Sequence, residues 1–540
     1  MSRLRTAALL GVIALPIVIG GAAIERQSTR DGAHVFDQVL SLVSDRFVDT
    51  LQQNQLFEKA ARGLVQQLDD PYSELYTPAQ LKRFSTVATG KYGGIGMQIE
   101  QQEGAIVVVR VFDHTPAEQA GVAEGDHIVG IDTASTRGWT SQQVSDVLIG
   151  TIGTKVNVKF SRPGIASAIE HSFTRAEIHV PAVPYSIMLD NKIAYVPLQQ
   201  FSENSAAELR ANVNRLLHEG AKGIVLDLRS DPGGILDQGL DIADLFLGTG
   251  QTIASVRTRQ GPPQVFTTHG GQHVPDVPLV VLVDGYSASA SEIVTGALQD
   301  HDRALVVGTT SFGKGLVQTV FPLDGGWAMK LTTGKWYTPS GRSIQKNRKH
   351  IDPDAAAGAS SDPGAGLSAD DKPDSLEQDS VKKHRPMYKS DAGRTIYGGG
   401  GVTPDIIVPE DTVTTAEQEF AKAIAPKFPA LRGVLYQYSF ELKDHVAKDF
   451  TVTPAWRDEL YKRLAAAKIV TDRKQYDAAT PLVNRWLSQQ VARLAFGDST
   501  AFRRTVPDDP QLRKALEVLR KGQTQKDLFS IARADATPGH

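Results

Sequence analysis

An apolar run, Leu279-Val280-Val281-Leu282-Val283, leads through Asp284-Gly285-Tyr286 into Ser287-Ala288-Ser289-Ala290-Ser291-Glu292. Read as strand, turn and helix start, the segment exposes a hydroxyl at the end of a sheet. There the free amides of a helix N-terminus stabilise charge developing on a carbonyl oxygen. Small residues around Ser289 let a peptide backbone approach. A hydroxyl nucleophile needs a base, and one stands in Thr310-Ser311-Phe312-Gly313-Lys314-Gly315-Leu316-Val317-Gln318. Desolvation in a cleft lowers a lysine's pKa, and the neutral amine then takes the serine proton. The run from Gly315 to Phe321 reads as strand, which puts Lys314 and Gln318 on one face of extended chain. Blander readings fit each piece alone. Ser289 with Glu292 spells a capping box, and a lysine between glycines is usually a solvated turn residue. The two segments together point to acyl transfer by a serine hydroxyl with a lysine base.

Such residues need a scaffold. From about Val180 to Ile344 buried-type strands alternate with helices, the pattern of an α/β domain with an extended sheet. Ahead of it, Lys91 to about Arg162 carries short strands with glycine punctuation, suited to a small barrel-like domain. Phe36, Val39, Leu40, Val43 and Phe47 recur at helical spacing, and a second helix is expected from Gln55 to Leu68. A low-complexity stretch interrupts the core, which resumes near Tyr397. Beyond Glu417 helical stripes such as Trp456, Leu460 and Leu464 read as core or interface. The expected division is a helical N-terminal region at 31–84, a small β domain at 85–178, a catalytic core at 179–346 and 394–411, a disordered insert at 347–393, and a helical extension at 412–540. The fold class is therefore multidomain, α/β and α+β.

Bulk properties narrow the function. With 540 residues and 41% hydrophobic content the chain exceeds a single core. Its 58 basic and 61 acidic residues give a net charge of -3, which offers no electrostatic footprint for nucleic acid. The absence of cysteine excludes disulfides, thiolate-bound zinc and a cysteine nucleophile. Arg3 and Arg5 precede an apolar run from about Ala7 to Ile24, so residues 1–30 read as an export signal, either cleaved or retained as an anchor. This places the protein in the periplasm or cell envelope.

Tyr92-Gly93-Gly94-Ile95-Gly96, then Pro116-Ala117-Glu118-Gln119-Ala120-Gly121, Gly125-Asp126-His127-Ile128 and Gly153-Thr154-Lys155-Val156 resemble, in that order, a PDZ domain. Together with Asp284 to Glu292 and Thr310 to Gln318 they make the chain resemble the carboxyl-terminal processing, or tail-specific, peptidases from about Val35 to Pro409, the insert excepted. The resemblance implies an α/β protease core of the ClpP/crotonase-like kind and a Ser-Lys dyad in place of a Ser-His-Asp triad. It makes Ser289 the nucleophile, Lys314 the base and Gln318 the residue that orients the lysine. Asp227-Leu228-Arg229-Ser230-Asp231-Pro232-Gly233-Gly234 matches the family's glycine turn, so Gly233 or Gly234, with Gly233 placed first, joins Ala290 in the oxyanion hole. In the PDZ domain the loop Gly93, Gly94, Ile95, Gly96 is expected to take a terminal carboxylate, with Met97, Ile99, Val144, Val147 and Leu148 forming an apolar pocket for the last side chain. Polypeptides with free C-terminal tails are the implied substrates. The N-terminal helices and the helical extension suggest a homo-oligomer, and an accessory adaptor protein stays open as a further partner, with no motif that identifies one.

Other readings are weaker. Gly308 to Lys314 satisfies most of a phosphate-loop pattern, but Gly315 stands where Ser or Thr is required and a strand follows where a helix is needed. His301 lies one helix length from Ser289, too far for a triad. His269 and His273 flank a Gly-Gly loop without a third ligand motif, so no metal and no cofactor is expected. A catalytically silent PDZ scaffold is the remaining alternative, and the intact Ser289 and Lys314 argue against it.

Overall fold

Strands buried on both faces must be apolar throughout, and Ile193–Pro197, Gly223–Asp227 and Leu279–Val283 are buried along their whole lengths. In the computed structural model the described residues are 31–102, 104–162, 165, 167–270, 273, 274, 276–346, 385–409 and 414–536. The expected signal or anchor at 1–30 therefore lies outside them, as does most of the expected insert. No helix among the described residues is long and apolar enough to cross a membrane. The chain divides into two units, one of residues 1–77 and 319–332 and a larger one of 78–318 and 333–540.

The larger unit is built on a six-stranded sheet ordered Ile187–Leu189, Ile193–Pro197, Gly223–Asp227, Leu279–Val283, Leu305–Gly308, Ile406–Ile407. The first pair is antiparallel and the remaining pairs are parallel. Alternate residues serve opposite faces. Ala194, Val196, Ile224, Leu226, Val281 and Val306 pack with the helices Ser205–His218, Leu236–Phe246 and Ala290–Asp300. Tyr195, Val225, Val280, Leu282, Leu305 and Val307 pack instead with Leu512, Leu516, Leu519, Leu528 and Phe529 of the helices Pro510–Lys521 and Gln525–Ala536.

That second contact corrects the expected boundary between the core and the helical extension, since the extension's last two helices pack on one side of the core sheet. Leu512→Ala, at a fully buried position, is therefore expected to destabilise the larger unit by about 2–5 kcal/mol in urea unfolding. A loss below about 0.5 kcal/mol would show that the helix merely rests on the sheet.

A second correction concerns the insert. Residues 385–393, expected within it, are tied to the core. The hairpin Met387–Lys389 with Thr395–Tyr397 is formed, the Asp391 amide donates to the Asp300 carbonyl at 2.9 Å, and His301 Nδ1 meets Asp391 Oδ2 at 2.7 Å. Their Asp-, Ser- and Lys-rich composition matched that of their neighbours, which hid these partners.

The small β domain has a sheet ordered Met97–Gln102, Ala105–Val111, His127–Ile131, Lys155–Ser161, Ile169–Thr174 over its own apolar core. A separate ribbon, Lys91–Gly94 with Ala176–His179, closes its base. The extended run breaks between Lys91–Gly94 and Met97–Gln102 at Ile95-Gly96, where Gly96 has φ +88°. The helices Thr415–Ile424, Phe428–Leu442, Pro454–Ala466 and Thr480–Phe496 form a bundle around Leu460, Leu464 and Leu487. This bundle backs the β domain through Arg432–Glu100 (2.6 Å), Arg110–Asp498 (3.0 Å) and a cavity of about 510 Å³.

In the smaller unit, residues 31–46 and Gln53–Gln66 are helical, and Glu74–Tyr76 pairs antiparallel with Ala328–Lys330. Val35, Phe36, Val39, Leu42 and Phe47 of its first helical stretch and the residue following are exposed.

Candidate active site

The turn that leads to Ser289 is shaped by Asp284, which follows the buried strand. Its Oδ1 accepts the amides of Tyr286 (2.9 Å), Ser287 (3.0 Å) and Ser230 (3.0 Å), folding the chain back at once. Three serines follow, and their surroundings differ. Ser287 Oγ donates to the Leu228 carbonyl at 2.7 Å and Ser291 Oγ to the Asp231 carbonyl at 2.9 Å, and both side chains are buried. Ser289 between them is half-buried, with φ 56° and ψ −113°, a conformation a non-glycine residue adopts only when its neighbours impose it. The helix Ala290–Asp300 starts directly after it.

Glu292 does more than a cap does. Its Oε2 accepts the amides of Ser289 (3.0 Å) and Lys314 (2.8 Å), and its Oε1 accepts the Gly313 amide (2.7 Å) and the Ser311 hydroxyl (2.5 Å). The carboxyl is completely buried. Burial pushes its pKa up, and the four donors act in the opposite direction. One side chain thus grips both segments singled out from the sequence.

Lys314 does not sit in a solvated turn. Its carbonyl accepts the indole N–H of buried Trp336 at 3.0 Å, and the next carbonyl, of Gly315, accepts the Trp336 amide at 3.0 Å. Gly313, at φ +88°, has no room for a side chain, since a Cβ would stand 2.8 Å from that of Lys346. The strand Leu316–Pro322 follows, carrying half-buried Gln318, so the phosphate-loop pattern lacks its helix. His301 caps the far end of the helix, its Nδ1 meeting Asp391 Oδ2 and its Nε2 donating to the Thr252 carbonyl, away from Ser289.

The glycine turn lies against Ser289. A Cβ on Gly233 would approach that of Ser289 to 2.8 Å and the Ala290 nitrogen to 2.8 Å. The Gly233 amide, however, is donated to Asp231 Oδ1 at 2.8 Å. The amide placed first from the sequence as donor to a substrate oxygen is thus already engaged within the turn. Arg229 of the same segment is held by Asp227 (2.6 Å) and by Asp509 (2.8 Å) ahead of the helix Pro510–Lys521.

In the β domain a small groove is lined by Gly94, Ile95, Gly96, Met97, Ile99 and Leu148, joined by Tyr92, Ser145 and Ile149. Burial pushes the Tyr92 hydroxyl up to about 12, so it stays a neutral donor. Three expected pocket residues are not among the lining. Val144 is fully buried in the domain core, Val147 is 37% exposed, and the Gly93 carbonyl is bonded to the Gly150 amide at 2.9 Å. The helix Ser141–Leu148 presents Ser145 and Leu148 to the groove and turns Val144 inward, a phase that apolar character alone does not reveal.

Three family models match this chain: peptidase family S41 over residues 192–357, a PDZ domain over 93–170, and the N-terminal domain of the activating protease CtpB over 20–78. A carboxy-terminal-processing protease of Bartonella bacilliformis is 37% identical over 314 residues, covering 57% of this chain and 72% of its own. The carboxy-terminal processing protease CtpA of Bacillus subtilis is 34% identical over 355 residues, covering 65% and 75%. Among solved structures, the photosystem II D1 C-terminal processing protease aligns with 30% identity over 56% of this chain and 82% of that one, at a TM-score of 0.33. With identity at this level running through most of both relatives, the chain belongs to the carboxy-terminal processing proteases of peptidase family S41, and it is a serine-type peptidase carrying a PDZ domain.

Proposed function

We propose that this enzyme is an exported endopeptidase that selects polypeptides by their C-terminal tails and cleaves them with Ser289 and Lys314. The observation that carries the reading is the Glu292 carboxylate, which accepts the backbone amides of both residues. In the proposed cycle the neutral Lys314 amine takes the Ser289 proton as Oγ attacks the scissile carbonyl, and Gln318 orients the amine. The resulting oxyanion is received by the amides of Ala290 and Gly234, with Gly233 behind them. The ammonium returns its proton to the leaving amide nitrogen, the C–N bond breaks, and an acyl-enzyme remains. Water, deprotonated by the same amine, then hydrolyses the ester and restores Ser289.

Tail selection rests on the groove of Gly94, Ile95, Gly96, Met97, Ile99 and Leu148, where amides meet a carboxylate and apolar side chains meet the terminal residue. The basic-then-apolar start of the sequence supports export. The exposed Val35, Phe36, Val39 and Leu42 support self-association.

The test compares two otherwise identical unfolded polypeptides, one ending in a free apolar residue and the other amidated. Removing the carboxylate should cost about 1–3 kcal/mol of binding, which is roughly a 5- to 150-fold lower kcat/KM. Equal values below saturation would overturn tail selection, and no cleavage of either would overturn the endopeptidase reading.

A further inference from the structure

The glycine turn contains a carboxyl group to which the proposed cycle gives no task. Asp231 is completely buried, and its Oδ1 accepts the Gly233 amide at 2.8 Å. Its other oxygen, Oδ2, is buried without a hydrogen-bond partner among the described residues. Its backbone carbonyl accepts the Ala288 amide at 3.0 Å and the Ser291 hydroxyl at 2.9 Å, on either side of Ser289. Asp231 therefore touches both the turn that carries the glycines and the turn that carries the nucleophile.

The amide directions in the glycine turn follow from its contacts. Phe201 and Gly234 form a parallel bridge, in which the Phe201 amide donates to the Gly233 carbonyl (3.1 Å) and the Ile235 amide to the Phe201 carbonyl (2.8 Å). In such a bridge the bracketed residue's own amide points away from its partner. The bridge thus leaves the Gly234 amide pointing away from Phe201, while Asp231 holds that of Gly233. Both glycines have positive φ, +88° and +153°, and no side chain of their own to restrain them.

We propose that Asp231 is a positioning residue for the oxyanion-binding turn: by engaging the Gly233 amide it makes Gly234 the donor that faces the reacting carbonyl. The inference rests on the reading of Ser289 as nucleophile. Burial, aided by the neighbouring Asp284 carboxylate, pushes the Asp231 carboxyl well above its ordinary pKa. Asparagine keeps a side-chain carbonyl oxygen and so reproduces the acceptor for the Gly233 amide.

The experiment measures kcat and KM of the full chain on an unfolded polypeptide for Asp231→Ala, Asp231→Asn and Ser289→Ala, with thermal melts as a folding check. Asp231→Ala should lower kcat by about 10- to 100-fold with KM within about threefold, because the turn and not the tail groove is disturbed. Asp231→Asn should stay within about threefold of the parent in both. A parental kcat in Asp231→Ala, or an Asp231→Asn variant as slow as it, would overturn the proposal. If the alanine variant does not fold, Asp231→Ser replaces it. The serine hydroxyl makes the same turn more weakly, so an intermediate kcat is expected and a parental one counts against the proposal. Activity in Ser289→Ala would sink the underlying reading. An inert Ser289→Ala beside a parental Asp231→Ala would sink the Asp231 inference alone.

Discussion

Ser289→Ala is expected to lower kcat for an unfolded polypeptide by at least about 10⁴-fold while leaving the melting temperature nearly unchanged. The serine contributes the only atom that becomes covalently attached in the proposed cycle. Its neighbours are poor substitutes, since the Ser287 and Ser291 hydroxyls are buried and already donate to the Leu228 and Asp231 carbonyls. Lys314→Ala should match it, because a serine without its base is left with only the weak nucleophilicity of the hydroxyl. The two residues serve one proton transfer, so the double variant should be no more than about tenfold worse than either single one. Rates that multiply, or a Ser289→Ala variant keeping a tenth of the activity, would remove the dyad from consideration.

Glu292→Gln carries the second large effect. The carboxylate accepts four hydrogen bonds, two on each oxygen. An amide keeps one oxygen and replaces the other with a donor, which leaves two of the four donors facing an N–H group. Hydrogen bonds to a charged group contribute about 1.5–3 kcal/mol each, while neutralising a buried carboxylate returns part of that. A net destabilisation of about 2–4 kcal/mol is expected in urea unfolding. Activity should fall further than stability implies, by about 100-fold in kcat, because the backbones of Ser289 and Lys314 lose their common anchor. The measurement is kcat at a temperature where the variant is shown to be folded. A folded Glu292→Gln enzyme within threefold of the parent would mean that the turns hold their positions without it.

The core strands and the strand, turn and helix start around Ser289 were legible because each is local. Leu279 to Val283 is apolar at every position, and only a strand covered on both sides needs that. Glu292 was legible as a cap and no further, since its other partners, Ser311, Gly313 and Lys314, come from a different segment. The engagement of the Gly233 amide by the Asp231 side chain was not legible, since a glycine's sequence carries no record of its amide's direction. Val144 and Leu148 lie one turn apart on one short helix and both join the domain core, yet only Leu148 also lines the groove. The role of the last helices was hidden for a related reason: an amphipathic stripe states that a partner exists without naming it.

The helices Pro510–Lys521 and Gln525–Ala536, which cover one side of the sheet, also set the order of events during biosynthesis. A ribosome delivers Ser289 and Lys314 long before it delivers Leu512 and Phe529. Until those residues arrive, Val225, Val280, Leu282 and Val307 lack most of their cover on that side, and the packing of the sheet that leads to Ser289 stays incomplete. The domain that carries Ser289 and Lys314 is therefore expected to complete its folding only after the last helices have been synthesised.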